Sequence, residues 1–283
     1  MNFETKRFTF LILLITSMLI LISGCSKDSS GPEEDPPTIP PQSTMIMDLS
    51  GFSTSSQAMS IPGSVDGTSE TLTKNNWSWA SANVGVWSIY VGIVNVTLSI
   101  PFAAFVATIN EEPEYQGDAT WLWEKTFPVL GIQHTAQLYG SLEGDNVIWE
   151  MYITKENVYS EFLWYRGVAD VDATEGYWEF YKNPDSPTAY LRIDWHRTED
   201  QKGDIQYTNA DPSVPEYGSY IFYDLLDSGD FDAAFDMFSA PNDNNTMVEW
   251  HRTNRIGRVK DADHFGDDAW HCWDSMWEDV DCQ

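Results

Sequence analysis

"AYLRIDWHRT", residues 189–198, alternates with a period of two. Leu191, Ile193 and Trp195 fall on one side of an extended chain, and Arg192, Asp194 and His196 fall on the other. An antiparallel sheet with one buried and one wet face requires that pattern. Between Asp118 and Asp261 ten more runs share it: "TWLWEKTF", "HTAQLYGSLE", "NVIWEMYIT", "SEFLWYRGVA", "GYWEFYKN", "GDIQYTNA", "GSYIFYDLL", "FDAAFDMF", "TMVEWHRT" and "RIGRVKD". Turn chemistry separates them, as in "EGDN", "NPDSP", "DQKG" and "NDNN". Short turns between so many strands predict a meander, and a sheet of that length curls, closes or wraps around something.

Upstream, Asn75–Asn110 holds no charged residue. Ser81, Gly85, Ser88, Gly92, Asn95 and Ser99 recur at helical steps, which predicts a stripe of small residues suited to close approach of another backbone. Trp87, Ile89, Tyr90, Ile93, Val94 and Leu98 lie on the other sides, and Pro101 breaks or kinks the helix before a shorter apolar piece. A helix that is apolar nearly all round is buried in protein or in membrane. Asn83, Asn95 and the proline favour burial under the sheet; a membrane span is the competing reading. The expected fold class is therefore mainly β (α+β): a large antiparallel meander, strongly curved or barrel-like, packed on one long apolar helix.

Composition supports a large core. Aromatic residues make up 14% of the chain, with 13 tryptophans, which excludes a disordered protein. Residues 45–283 are read as one β-rich domain, in which "MIMDLSGF" is a candidate strand and the tail 262–283 lies over one end of the sheet. Trp270, Trp273 and Trp277 would pin that tail. Cys272 and Cys282 are expected to form a disulfide, since they lack C-x-x-C spacing and form an even pair in an exported chain.

Export is read from the N-terminus. Lys6 and Arg7 precede the uncharged apolar run Phe8–Ile22, the layout of a signal peptide over residues 1–24. Leu21-Ile22-Ser23-Gly24-Cys25 follows, and it resembles the lipobox of bacterial lipoproteins. The resemblance implies cleavage before Cys25, a diacylglyceryl thioether on its sulfur and an acylated amine. Residues 25–44 are then the lipidated cysteine and a disordered tether rich in Ser, Pro, Gly and acid. Ser26 stands where an aspartate would favour inner-membrane retention, so the expected site is the outer membrane, on either its periplasmic or its surface face. The order of lipobox, tether, apolar helix, Trp-rich meander and "DDAWHCWDSMW" also resembles outer-membrane lipoproteins of Bacteroidota type with no established activity.

Charge narrows the partners. Without residues 1–24 the chain loses Glu4, Lys6 and Arg7, leaving 43 acidic and 13 basic residues and a net charge of −30. Such a body repels nucleic acid and anionic headgroups, so the membrane is met through the lipid anchor.

Chemistry-bearing patterns are sparse. "WHRT" occurs twice, at 195–198 and 250–253; His196, Arg197, His251 and Arg252 form either an anion-binding patch or solvent-facing pairs with nearby carboxylates. His264, Asp267, Asp268, His271 and Asp274 crowd one stretch, with His264, Asp267 and His271 the weak metal candidates. Their spacing matches no H-E-x-x-H or EF-hand template. Glu150, Glu161, Glu175 and Glu179 include carboxylates for a glycoside-hydrolase pair, which needs a spatial separation that spacing alone does not supply. G-x-S-x-G, S-x-x-K, Walker and zinc-protease motifs are absent from the sequence, and no cofactor is expected. The reading is an envelope lipoprotein with a binding or structural role, taking an apolar or a glycan ligand. Alternatives are a surface glycan hydrolase and a transmembrane β-barrel.

Overall fold

All eleven period-two runs are strands in the computed structural model, which describes residues 35–47, 52, 75–97, 99–198, 203–226 and 229–282. The sheet begins with β1 (Glu114–Gly117), β2 (Thr120–Val129), β3 (Ile132–Glu143), β4 (Asn146–Lys155) and β5 (Tyr159–Asp170). It continues through β6 (Glu175–Asn183), β7 (Ser186–Arg197), β8 (Gly203–Asn209), β9 (Tyr220–Asp224) and β10 (Ala233–Ser239). β11 (Asn244–Trp250), β12 (Gly257–Lys260), β13 (His271–Trp273) and β14 (Asp279–Val280) complete the fourteen-stranded meander. Order in space is order in sequence, every ladder is antiparallel, and Pro36–Gln283 packs as one unit. Turn chemistry sets the registers. In "NPDSP" the Asn183 side chain accepts the amides of Asp185 and Ser186 at 3.0 and 2.9 Å, closing the hairpin in which Asn183 faces Ser186.

Alternation sends the strand tryptophans to one face, and glycines on neighbouring strands make room for them. Trp149 lies over Gly140, Trp178 over Gly167, Trp195 over Gly176 and Trp273 over Gly257, each across a ladder from its partner. A Cβ at Gly140 would meet Trp149 Cζ3 at 2.6 Å, and one at Gly176 would meet Trp195 Cζ2 at 2.7 Å. The indoles therefore lie flat on the sheet where a side chain would otherwise stand, as in the aromatic rescue of strand glycines. A bulge at the β4–β5 ladder turns both Trp164 and Tyr165 inward.

Two helices cover this inner face. α1 (Asn75–Thr97) contacts β12, β13 and β14; α2 (Ser99–Thr108) contacts β2, β3 and β4. The single long helix expected over 75–110 is thus corrected to two. Residue 98, between them, lies outside the described residues, and Pro101 sits in the first turn of α2, where its missing N–H costs no helical bond. Of the small-residue stripe, the side chains of Ser88, Gly92 and Asn95 lie outside the described residues. In the first half of α1 the buried positions are Asn76, Ala80 and Val84, while a Cβ added at Gly85 meets nothing within 4 Å. Among the described residues no helix is long and apolar enough to cross a membrane.

Between the helices the inner face is covered by the N-terminal segment. Thr44 Oγ1 accepts Trp178 Nε1 at 3.0 Å, and Tyr207 Oη donates to the Met45 carbonyl at 2.8 Å and accepts the Met47 amide at 3.0 Å. Met45 and Met47 are buried without joining a strand, and 48–51 and 53–74 lie outside the described residues. Pro36–Thr44, read from composition as tether, belongs to the folded unit.

The sheet stays open. β1 and β14 stand at opposite ends of the strand order, with four and two residues, and a bulge interrupts β1 between Tyr115 and Gly117. Such short, interrupted edges offer little for a closing ladder. The barrel-like form is corrected to an open sheet. The tail extends the sheet: after the short helix α3 (Ala262–Phe265) it supplies β13 and β14.

Candidate functional site

Cys25 and the whole leader lie outside the described residues. The C-terminal disulfide is present: Cys272 and Cys282 are joined with Cα atoms 5.2 Å apart. It closes the β13–β14 hairpin, and that hairpin holds the start of α1. Asp279 accepts the amides of Asn75 and Asn76 at 3.2 and 3.0 Å, placing an anion on the first amides at the positive end of the helix. Asn76 Nδ2 donates to the Cys272 carbonyl at 2.8 Å. Trp277 stacks on Trp77 from the same side, with ring centroids 5.4 Å apart.

This clamp sets the rotation of α1. With Asn76, Ala80 and Val84 on the core, the residues three turned away from them face a rim of the sheet. β8, β10 and β12 end at this rim, and β9 and β11 begin there. Trp79, Asn83, Val86 and Trp87, spaced for one helix face, form one wall of a pocket of about 590 Å³. The opposite wall comes from the sheet rim, including Asn209, Ser219, Met237, Ser239, Asn242 and Asn244.

Asp261, 1% exposed, organises the floor. Its carboxylate accepts Thr246 Oγ1 at 2.7 Å, Asn244 Nδ2 at 2.9 Å, Trp79 Nε1 at 2.9 Å and the His264 amide at 3.1 Å. Burial alone would raise this carboxyl, but the bonds from Thr246, Asn244 and Trp79 outweigh it and hold the group below its usual value. The His264 ring lies flat on Trp79, centroids 3.7 Å apart. Burial lowers the His264 pKa, partly offset by Asp261, so the imidazole is neutral at pH 7. Trp79 is thereby fixed from two directions before any ligand arrives. Glu216 and Asp263 stand exposed at the mouth.

The metal candidates separate. His264 goes to Trp79, whereas His271 Nε2 is 3.0 Å from Asp267 Oδ1 and its ring stacks on Phe265 at 3.8 Å. Among the described residues no group of three or more His, Cys, Asp or Glu side chains is placed to hold a metal. The two "WHRT" copies are each anchored by a buried inner-face tryptophan, Trp195 or Trp250. Their polar residues meet carboxylates: His196 lies 3.2 Å from Asp204, Arg252 Nε 3.4 Å from Asp232, and His251 4.0 Å from the same aspartate.

Of the four glutamates, Glu150 and Glu179 share the outer face. Register places Arg166 between them, in the row Glu150–Arg166–Glu179–Arg192 across four adjacent strands. Tyr152 donates to Glu150 at 3.3 Å and Tyr181 to Glu179 at 2.7 Å. Burial and the Glu179 bond push Tyr181 up to about 12. Glu161 sits near the start of β5, where its amide donates to Thr154 Oγ1, and Glu175 opens β6 opposite His196. None of the four lines the rim pocket.

Sequence reasoning missed the pocket residues. Two local signals were available: the helical spacing of Trp79, Asn83, Val86 and Trp87, and "DADH", where Asp261 caps α3 by accepting the amide three residues on. No protein-family model, no curated protein and no solved structure matches this chain significantly.

Proposed function

We propose that the protein is a lipid-anchored envelope module that binds a small ligand in the rim pocket and does not transform it. In this reading residues 1–24 are a signal peptide, Cys25 carries the acyl chains, and the anchor holds the body at the bacterial outer membrane. The lipobox-like Leu21–Cys25 supports the anchor, because two or three acyl chains suffice for stable attachment. The observation that carries the binding role is the pocket itself. Its 590 Å³ falls within the roughly 300–1,000 Å³ typical of ligand sites, and it joins a fixed indole to convergent polar groups. We further read the sheet as strongly curved around α1 and α2, since twisted sheets of more than about ten strands rarely remain flat.

The anchor is tested by labelling cells with radioactive palmitate and washing their membranes with carbonate. The wild-type chain should take up label and stay on the membrane; Cys25→Ala should do neither. Equal labelling or equal retention of the variant would remove the anchor from the proposal.

A further inference from the structure

The chemistry of the pocket walls selects among ligands. Along α1, Trp79 and Trp87 are eight residues apart, about 12 Å at 1.5 Å per residue, so the apolar wall is an elongated strip rather than a closed cage. The facing wall sets neutral donors and acceptors, the amides of Asn209, Asn242 and Asn244 and the hydroxyls of Ser219 and Ser239, beside the apolar Met237 and Phe238. Internal bonds occupy only part of those amides, Asn244 Nδ2 donating to Asp261, Asn242 Nδ2 to Ser239 Oγ and Asn209 Oδ1 accepting the Asp211 amide. An acyl chain would leave their remaining donors and acceptors unmet, which is costly. Anions are disfavoured for a different reason: no lysine or arginine lines the pocket to pair with one, and His264 is the sole basic group in the lining.

A cationic amine is matched poorly too. Asp261, the buried carboxylate, already accepts four hydrogen bonds, and Glu216 and Asp263 are solvent-exposed, where attraction is screened. What fits is an uncharged molecule with apolar faces and many hydroxyls at its edges.

Resting on the reading of the rim pocket as the ligand site, we propose that it takes a neutral oligosaccharide, with ring faces against Trp79 and Trp87 and hydroxyls on the rim amides. Asn242, exposed in the β10–β11 turn, and Trp87 are then specificity-determining contacts.

Calorimetric titration of the detergent-extracted full chain tests this with maltotriose, cellotriose, laminaritriose, mannotriose and triacetylchitotriose, and with laurate and spermidine as charged probes. At least one trisaccharide should bind saturably; Trp87→Ala should weaken it about tenfold and Asn242→Ala by a smaller factor. Asn242→Ala removes one bond, to Ser239 Oγ at 3.0 Å, within an exposed turn, so it reports on the contact even if Trp87→Ala disturbs folding. Laurate or spermidine binding that depends on Trp87, without trisaccharide binding, would keep the pocket and overturn the oligosaccharide. Trisaccharide binding indifferent to both variants would overturn the placement, and no binding by any probe would overturn both readings.

Discussion

Trp79 Nε1 donates to Asp261 Oδ2 at 2.9 Å, a bond spanning 182 residues of sequence that ties α1 to the rim of the sheet. The same carboxylate holds Thr246, Asn244 and the start of α3, so one buried side chain joins the helix, the start of β11 and the tail. Position and orientation of the pocket's indole depend on it.

Asp261→Ala should therefore cost more than an ordinary polar truncation. It strands the Thr246 hydroxyl and the Trp79 N–H, each worth about 1–3 kcal/mol when left unsatisfied. Chemical denaturation should show a loss of at least about 2 kcal/mol, and near-ultraviolet circular dichroism should show a changed tryptophan signal. A loss below about 0.5 kcal/mol, the range of neutral surface changes, would contradict the role given to this residue.

Acid stability follows from the same site. The folded carboxyl of Asp261 is held below its ordinary value, so the unfolded chain binds the proton first as pH falls. The contribution is complete above the unfolded range near pH ~3.9 and is lost as pH falls through the lowered folded value. Melting temperature measured from pH 7 to pH 2 should drop steeply below about pH 4 in the wild type. Asp261→Asn should give a shallower acid limb. Parallel limbs would show that this carboxylate is not a source of the pH dependence.

The disulfide acts on α1 through Asp279. Replacing both Cys272 and Cys282 by Ala opens a loop with a sequence separation of 10, for which loop entropy predicts a loss of about 2–3 kcal/mol. Amide exchange should rise at Asn75 and Asn76 as well as in β14, because the hairpin holds both amides. Exchange that rises in β14 alone would disconnect the tail from the helix.

Gly167→Ala tests the glycine–tryptophan packing. The new methyl would overlap Trp178, 1% exposed, and lie 2.7 Å from the Tyr177 carbonyl. Overpacking typically costs about 1–3 kcal/mol, a fall of several degrees in Tm for a domain of this size. An unchanged Tm would mean that the indole has space to yield.

The strands were legible because alternation over seven to twelve residues is a strong signal, as in β7, where Leu191, Ile193 and Trp195 are all buried. β1 is mostly exposed and does not alternate, β13 and β14 are too short to show a period, and β14 is defined by its ladder to β13. Pro101 marked the passage from α1 to α2, since it sits in the first turn of the second helix. Counting cysteines pointed to the disulfide. The pocket was not legible: α1, the β8–β9 and β10–β11 connections and α3 each supply a few residues, and only the register brings Asn209, Asn244 and His264 around Trp79. Glu150 and Glu179 show the converse, since register gathers conspicuous residues on a face away from that pocket.

The most direct measurement is hydrogen–deuterium exchange on the detergent-extracted full chain, with and without whichever neutral trisaccharide binds best. Protection should appear in the 79–87 turns of α1 and in the β10–β11 hairpin around Ser239–Asn244, leaving the Glu150–Arg166–Glu179 row unchanged. Protection centred on that row, or none in α1, would contradict a ligand site at the rim.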